Sequence, residues 1–399
     1  MALAENTESH GLTRVSSYRW VVLLASFLGF VAFAFGFQLG PPILINLENE
    51  FGVLGAQTGL FMSLVMIPGI ILALPAGFII NKYGFRWLSF FSLVAVVAGN
   101  LLTAIATSFA IALAGRFILG VGGAFLVVGT PVFIPQWFKH EELGKAMGVF
   151  STNMPVAIIV AFPTAAALSQ TYGWRSPFYV AALLAFVCAL FFVIAIKEGP
   201  LKGEPKPIRM DEVKHALKTV EVWKLGVAWM LFNTATIAFV TWAPTLFQQF
   251  KSLNSFNASL LATVVMYSAV GLVPVFGWAS DRLGRRKPII IIGQIVVTLT
   301  LLLIAFSSGI PLIASVVGLG ISTAMVPPLI MVIVAQNLPP RLSGTGFSII
   351  TLCQNIGITV SAPLGGFLLQ STQSIVYTLG GMSLFAVASM AAALTIKTR

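Results

Sequence analysis

The chain alternates between long apolar runs and short breaks that are polar or rich in glycine and proline. Several runs approach about 20 residues, and at ~1.5 Å per residue a helix of that length crosses a hydrocarbon core of ~30 Å. The pattern therefore predicts an all-α membrane protein with twelve transmembrane helices. The predicted spans, numbered 1 to 12, cover residues 19–45, 56–80, 87–107, 111–136, 145–170, 177–197, 223–248, 257–280, 287–307, 311–336, 343–368 and 374–396.

Composition agrees with this reading. The 399 residues are 58% hydrophobic and 9% charged, and the mean hydropathy is +0.96. A soluble globular protein carries about 25% charged residues, so that class is excluded. The net charge of +11 does not indicate nucleic acid, because the basic residues lie in short loops between spans. The expected partners are the lipid bilayer and a small-molecule substrate, and we expect a monomer.

The basic residues predict the orientation of the spans. Twelve spans place both termini on one side of the membrane. If that side is cytoplasmic, all of the 23 Lys and Arg residues except Arg116, Arg175 and Lys251 lie in cytoplasmic segments. Cytoplasmic loops carry such an excess of Lys and Arg. We therefore expect an integral protein of the plasma membrane with its N- and C-termini in the cytoplasm.

One long polar segment, 198–222, divides the spans into two sets of six. Its residues Met210, Val213, Leu217 and Val220 recur at helical spacing, which predicts an amphipathic helix on the inner membrane surface. A loosely structured linker is the alternative. The predicted organisation is a cytoplasmic tail (1–18), an N-terminal six-helix bundle (19–197), a cytoplasmic linker (198–222), a C-terminal six-helix bundle (223–396) and a short tail (397–399).

The two bundles repeat each other at an offset of 200 residues. A cluster of matches falls at 77–86 and 277–286, between the second and third span of each bundle. Two six-span repeats related by an axis along the membrane normal indicate a pseudo-symmetric carrier with a midplane site between its halves. The matched pairs are Gly77 with Gly277, Asn81 with Asp281, Lys82 with Arg282, Gly84 with Gly284, Arg86 with Arg286, Gly120 with Gly320, and Pro163 with Pro363.

Several of these segments resemble motifs of the major facilitator superfamily. GFIINKYGFR (77–86) and GWASDRLGRRK (277–287) resemble its G-x-x-x-D-R-x-G-R-R/K loop motif. RFILGVGGA (116–124) resembles its span 4 motif. The resemblance covers the whole chain and implies the major facilitator fold, with two pseudo-symmetric six-helix bundles.

The resemblance also implies a cytoplasmic latch that is closed when the cavity opens outward and broken when it opens inward. The first copy of the motif carries Asn81 where the second carries Asp281. A carboxylate is stabilised at a helix N-terminus and an amide is not, so we expect the latch to be stronger at Asp281. The alternative is that these charges only fix topology. The candidate latch residues are Asn81, Lys82, Arg86, Glu141, Glu142, Asp281, Arg282, Arg285 and Arg286.

Arg116 is the only ionisable residue predicted inside a span. All carboxylates and histidines lie in tails, in loops or near span ends, so coupling through a buried acid or histidine is not expected. The organic-anion-carrying branch of the superfamily carries Glu where this chain has Gly123, which argues against proton symport of that kind. For Arg116 two roles stay open. One is contact with an anionic substrate, and the other, which the resemblance implies, is a brace on backbone carbonyls of span 1.

The cavity of this fold is lined mostly by spans 1, 4, 7 and 10. Polar and aromatic residues near mid-depth are the candidates for substrate binding, although each could instead bridge or pack helices. Phe33 and Phe37 are four apart and could form an aromatic wall, and Thr234 and Thr241 share a face. The candidates are Arg116, Gln38, Phe33, Phe37, Asn153, Asn233, Thr234, Thr241, Trp242, Tyr267 and Asn355.

These features predict a carrier and no enzyme, because the sequence shows no nucleophile–base pair, metal cluster or cofactor motif. We expect a small organic anion such as a monocarboxylate to be moved by rocker-switch alternating access, as uniport or exchange. TWAPTLF (241–247) is similar to a T-W-L-P-T segment of the anion-carrying branch. The alternatives are a neutral or zwitterionic solute (a small peptide, amino acid or cyanate-like compound) and a drug exporter. A nitrate porter is disfavoured, because that resemblance requires Arg in spans 2 and 8.

Overall fold

The computed structural model describes residues 2–138, 140–197, 219–283, 286–337 and 343–396. Within these ranges every regular element is helical. The predicted surface helix of the linker, up to residue 218, lies outside them, as does Arg285.

The helices follow the predicted spans. Span 1 comprises Ala2–Gln38, a 3-10 turn at Pro41–Ile43 and Leu44–Phe51, and span 2 comprises Ala56–Ser63 and Ile67–Tyr83. Among the described residues, eleven helical stretches are long and apolar enough to cross a membrane. Span 2 is not among them, and its two pieces have 8 and 17 residues. The other spans are Phe85–Ala104, Phe109–Phe133 (with a 3-10 turn at Ile134–Gln136), His140–Ser151 with Asn153–Tyr172, Ser176–Ala195, Val220–Lys251, Ser255–Leu283, Arg286–Phe306, Gly309–Asn337, Ser343–Thr372 and Ile375–Leu394.

Three predicted boundaries need correction. Span 2 is not one continuous helix, and Pro68 explains the break because it has no N–H to donate to the Leu64 carbonyl. The span 5 helix begins at His140, so the predicted 4–5 loop is itself helical. Span 7 begins at Val220, so residues 220–222 belong to the helix and not to the linker.

The internal repeat is visible in the packing. In the first half span 3 packs on spans 4 and 6, span 1 on spans 5 and 6, and span 2 on span 4. The second half repeats all five pairings six spans later. Gly120 meets the Val65 carbonyl, and 200 residues on Gly320 meets the Val265 carbonyl. The small residues at these crossings let two backbones approach closely, as is common between membrane helices.

Basic side chains satisfy the last carbonyls of several helices. Arg86 donates to the Val193 carbonyl at the end of span 6, at 2.7 and 3.1 Å. In the second half Lys287 donates to the carbonyls of Leu394 and Ile396 at the end of span 12. A cation at a helix C-terminus also interacts favourably with the helix dipole.

Candidate functional site

The centre of the first half is organised by the break in span 1. In a continuous helix the Phe37 carbonyl would accept a hydrogen bond from the N–H of residue 41, but that residue is Pro41. Span 1 stops being α-helical at Gln38. An unpaired carbonyl inside a membrane protein is costly, so another donor must reach it.

Arg116 of span 4 supplies that donor. Its Nη2 donates to the Phe37 carbonyl at 2.6 Å and its Nη1 to the Gly36 carbonyl at 2.8 Å. Its Nε donates to the Phe61 carbonyl at 3.1 Å, just before the break in span 2. The guanidinium also lies over the Phe61 ring, 4.5 Å from its centroid. One side chain thus joins the broken stretches of spans 1 and 2 to span 4.

This geometry bears on the two roles left open for Arg116. The residue is 0% exposed, and each of its three side-chain nitrogens donates to a backbone carbonyl. In this structure Arg116 is a brace, and substrate contact would require it to release those carbonyls. The brace is therefore the role seen in this structure, and contact of Arg116 with an anionic substrate stays a prediction.

Phe33 and Phe37 do stack, with ring centroids 6.4 Å apart and planes 8° from parallel. Both rings are buried, so they belong to the core of the first half and do not line an open cavity. The Phe33 ring rests directly on Gly123 of span 4, where any side chain would overlap it. A side chain at this position, which carries Glu in the organic-anion branch, would therefore overlap the Phe33 ring.

The other two polar candidates of the first half already have hydrogen-bond partners within that half. Asn153 donates to the Phe150 carbonyl of its own span. The Gln38 amide is directed at the Met154 sulfur, 3.7 Å away. Both side chains are buried.

In the second half, two candidates tie span 7 to span 11. Trp242 is fully buried, and its Nε1 donates to the Ala362 carbonyl at 2.8 Å. The Thr234 hydroxyl donates to the Met230 carbonyl at 2.9 Å and reaches the Gly357 carbonyl at 3.4 Å. These contacts are helix-packing contacts, which is the alternative that the sequence left open.

The remaining candidates differ in exposure. Asn233 is buried and donates to the Trp229 carbonyl at 2.8 Å, so half of its amide is committed to its own helix. Thr241 is also buried. Tyr267 is 54% exposed on span 8. Whether Thr241 or Tyr267 meets a substrate stays a prediction.

The sequence analysis missed a seal between the two halves. We use this term for the contact of Gly55, just before span 2, and of Gly59 and Ser63 within span 2, with residues 359–370 of span 11. Gly55 abuts Gly366 and Gln370, and a methyl group on Gly59 would lie 2.5 Å from backbone atoms of Ala362 and Pro363. The signal available was the four-residue spacing of Gly55 and Gly59, which is typical of close helix contacts.

The seal ends in a hydrogen bond between the halves. Ser63 donates its hydroxyl to the Thr359 carbonyl. Pro363 removes the helical donor of that carbonyl, so the serine replaces a missing backbone N–H. The turn at Pro41–Ile43 packs on spans 5 and 7 and span 8 packs on span 5, which adds further contacts between the halves.

The latch candidates are only partly described. Glu142 forms an ion pair with Arg19 at the start of span 1, within its own half. Arg86 caps span 6, and Arg282 lies over the Trp278 ring at 5.4 Å. Whether Arg86 joins a latch in the other conformation stays a prediction. The side chains of Asn81, Lys82, Glu141 and Asp281 lie outside the described residues, and the latch stays a prediction.

Two packed six-span repeats with broken central helices define the fold of a two-bundle membrane carrier. The chain matches the family model of the Major Facilitator Superfamily over residues 22–273 and 250–399. It belongs to that superfamily, which confirms the resemblance seen in the sequence and the predicted fold. It is an integral membrane protein.

The names of similar proteins refer to different transported solutes. The chain is 27% identical over 280 residues to the probable nitrate/nitrite antiporter NarK1 of Thermus thermophilus, covering 67% of this chain but less than two thirds (62%) of that relative. It is 23% identical to the human lysosomal dipeptide transporter MFSD1, covering 90% of this chain and 81% of the relative. The relatives therefore do not single out an organic anion.

Solved structures agree on the fold. A bacterial homolog of the human lysosomal transporter Spinster, in an inward-facing and unoccupied conformation, matches with a TM-score of 0.77 at 15% identity, over 95% of this chain and 98% of that chain. A D-xylose–proton symporter matches with a TM-score of 0.75 at 16% identity, over 95% and 97%. At these identities the likeness concerns the fold alone.

Proposed function

We propose that this protein is an alternating-access carrier of a small polar solute without net charge, either neutral or zwitterionic. The observation that carries the proposal is the state of Arg116. Arg116, the only ionisable residue predicted inside a span, is fully buried and donates to three backbone carbonyls. Burying an anion costs much free energy unless the anion is paired and hydrogen-bonded, and in this structure Arg116 is not free to pair with one. We therefore favour a neutral or zwitterionic solute over an organic anion as the substrate.

The position of the seal supports alternating access. Spans 2 and 11 are in tight contact from Gly55 to Ser63, at the predicted outer end, and are less close at Gly69 and Asn355. This arrangement suits a carrier that is closed to the outside. Movement of one repeat against the other would open the seal and close the opposite end. The predicted orientation, with cytoplasmic termini, is part of the proposal.

The proposed coupling is uniport or exchange. Every carboxylate of the chain lies in a tail, a loop or near the end of a span. Proton-coupled carriers usually relay protons through acids or histidines inside the membrane. Transport should therefore follow the solute gradient.

A small anion such as nitrate is the second candidate. The observation that favours it is the similarity to the probable nitrate/nitrite antiporter. An anion would have to draw Arg116 away from its carbonyls or rely on backbone and amide dipoles.

Uptake into proteoliposomes would test these proposals. The purified protein is loaded with unlabelled solute and assayed for uptake of labelled alanylalanine, lactate or nitrate, with and without an inward proton gradient. We expect dipeptide exchange that the gradient does not change. Uptake restricted to lactate or nitrate would overturn the assignment of an uncharged solute. Accumulation driven by the gradient would overturn uniport or exchange.

A further inference from the structure

The seal has a defined lower edge, and it falls beside Asn355. Spans 2 and 11 run antiparallel along the seal. Their contacts pair Gly55 with Gly366, Gly59 with Ala362, and Ser63 with Thr359. The next pair in this antiparallel register is Gly69 with Asn355. There, a methyl group on Gly69 would lie 3.7 Å from Asn355 Nδ2, which is ordinary van der Waals distance and no overlap. The two spans therefore begin to separate at this pair.

Two polar groups on span 11 are unused at this edge. The Asn355 side chain is partly exposed and makes no hydrogen bond with the described residues. One helical turn above, the Thr359 hydroxyl is buried and has no partner among the described residues. Residues four apart lie on the same face of a helix, so both groups face the widening gap between the halves. The break in span 2 at 64–66 lies opposite them.

We propose that the Asn355 amide is the anchor for the transported solute directly beneath the seal, and that the solute presents an amide-like donor and acceptor pair such as a peptide bond. This inference rests on the proposed function and names the solute class more closely. A carboxamide offers two N–H donors and one carbonyl acceptor side by side. A peptide group pairs with both kinds of group at once. A carboxylate could use only the donors, and its charge would face the Asn355 carbonyl oxygen.

The location also connects binding to the conformational change. A solute held by Asn355 lies between span 11 of one half and span 2 of the other. It therefore contacts both halves where they diverge. Gly69 contributes by leaving room, because a larger side chain there would fill the gap beside the amide.

The test compares Asn355→Leu with Gln354→Leu in the dipeptide exchange assay. Leucine has the same number and branching of side-chain heavy atoms as asparagine and no hydrogen-bonding group. Gln354 is the next residue on span 11, is also partly exposed, and lies ~100° further around the helix. We expect Asn355→Leu to raise the KM for alanylalanine roughly two- to tenfold, the value of one or two neutral hydrogen bonds. Gln354→Leu should leave the KM unchanged.

Two further measurements keep the outcomes separate. Thermal unfolding without solute checks that Asn355→Leu is folded, and Asn355→Asp, which keeps the shape and loses the donors, serves as a second variant. Alanylalanine exchange that neither Asn355 variant weakens would overturn this inference and leave the proposed function intact. Uptake of lactate alone by the unmodified protein would overturn the proposed function itself.

Discussion

Replacing Gly59 with alanine should open the seal between the halves. A methyl group on Gly59 would lie 2.5 Å from the carbonyl carbon and oxygen of Ala362 and from the nitrogen of Pro363, whereas ordinary contact begins at 3.4 Å. These are backbone atoms, which cannot rotate away as the end of a side chain can. Spans 2 and 11 must therefore separate by about 0.9 Å, the difference between 3.4 and 2.5 Å.

The magnitude follows from the cost of overpacking. Forcing an extra group into a well-packed contact costs about 1–3 kcal/mol. In the proposed outward-open conformation spans 2 and 11 would be apart at this end, so the methyl group would cost little there. A ligand or substitution shifts a two-state equilibrium by its differential free energy between the states. The outward-open population should rise about 5- to 150-fold relative to the closed one.

A cysteine at Gly69 reports on this equilibrium. The site lies just beneath the seal and has room for a side chain, and the native Cys188 and Cys353 are buried and can be replaced by alanine. A membrane-impermeant maleimide added from outside reaches Cys at position 69 only while the seal is open. The labelling rate should increase with Gly59→Ala by the factor given above.

Two glycines provide matched controls. A methyl group on Gly99 would also lie 2.5 Å from backbone, at Leu119, but that contact is inside the first half. Gly99→Ala should therefore lower thermal stability without changing the labelling rate. Gly271 has nothing within 4 Å, and its alanine variant should change neither quantity. If Gly59→Ala labels within twofold of its parent while remaining folded, the seal is not the outer gate.

Further predictions concern the brace, the aromatic contact and a helix cap. Arg116→Lys should lower the thermal unfolding midpoint in detergent, because the single nitrogen of lysine replaces three guanidinium nitrogens that each reach a different carbonyl, and each buried carbonyl left unpaired costs about 1–3 kcal/mol; an unchanged midpoint would refute the brace. Gly123→Ala should destabilise the fold by overlap with Phe33, and Phe33→Leu should restore part of the loss; additive effects in this double-mutant cycle would refute the contact. Arg86→Met should cost only about 0.3–1 kcal/mol by uncapping span 6, and a transport defect with unchanged stability would favour the latch role instead.

The sequence predicted what depends on local pattern. Apolar runs located the spans, and the 200-residue offset located the repeat, because each repeat folds by the same packing rules. The contacts of Gly120 with Val65 and of Gly320 with Val265 show that the offset holds at the level of single atoms. The break in span 2 was also within reach, since Pro68 removes one backbone donor.

The use of each polar side chain was harder to predict. Trp242 and Thr234 were candidates for substrate contact, but they donate to carbonyls of span 11 about 120 residues away. The seal joins residues 296 positions apart in its hydrogen bond between Ser63 and Thr359. Periodicity shows which face a residue occupies on its own helix. It does not show which helix lies opposite, so partners of this kind require the tertiary structure.

Prolines nevertheless predict, from the sequence alone, which backbone carbonyls will need a donor from another helix. A proline at position i deprives the carbonyl at i−4 of its donor, and inside a membrane that carbonyl must find another. Pro41 predicts an unpaired carbonyl at Phe37, which Arg116 serves. Pro363 predicts one at Thr359, which Ser63 serves. The buried arginine and the serine of the seal are thus consequences of helix breaks on other spans. The Arg116 brace and the Ser63 contact of the seal therefore share one physical cause. Replacing Pro41 should remove the need for Arg116 as the donor to the Phe37 carbonyl, and replacing Pro363 should remove the need for Ser63 as the donor to the Thr359 carbonyl.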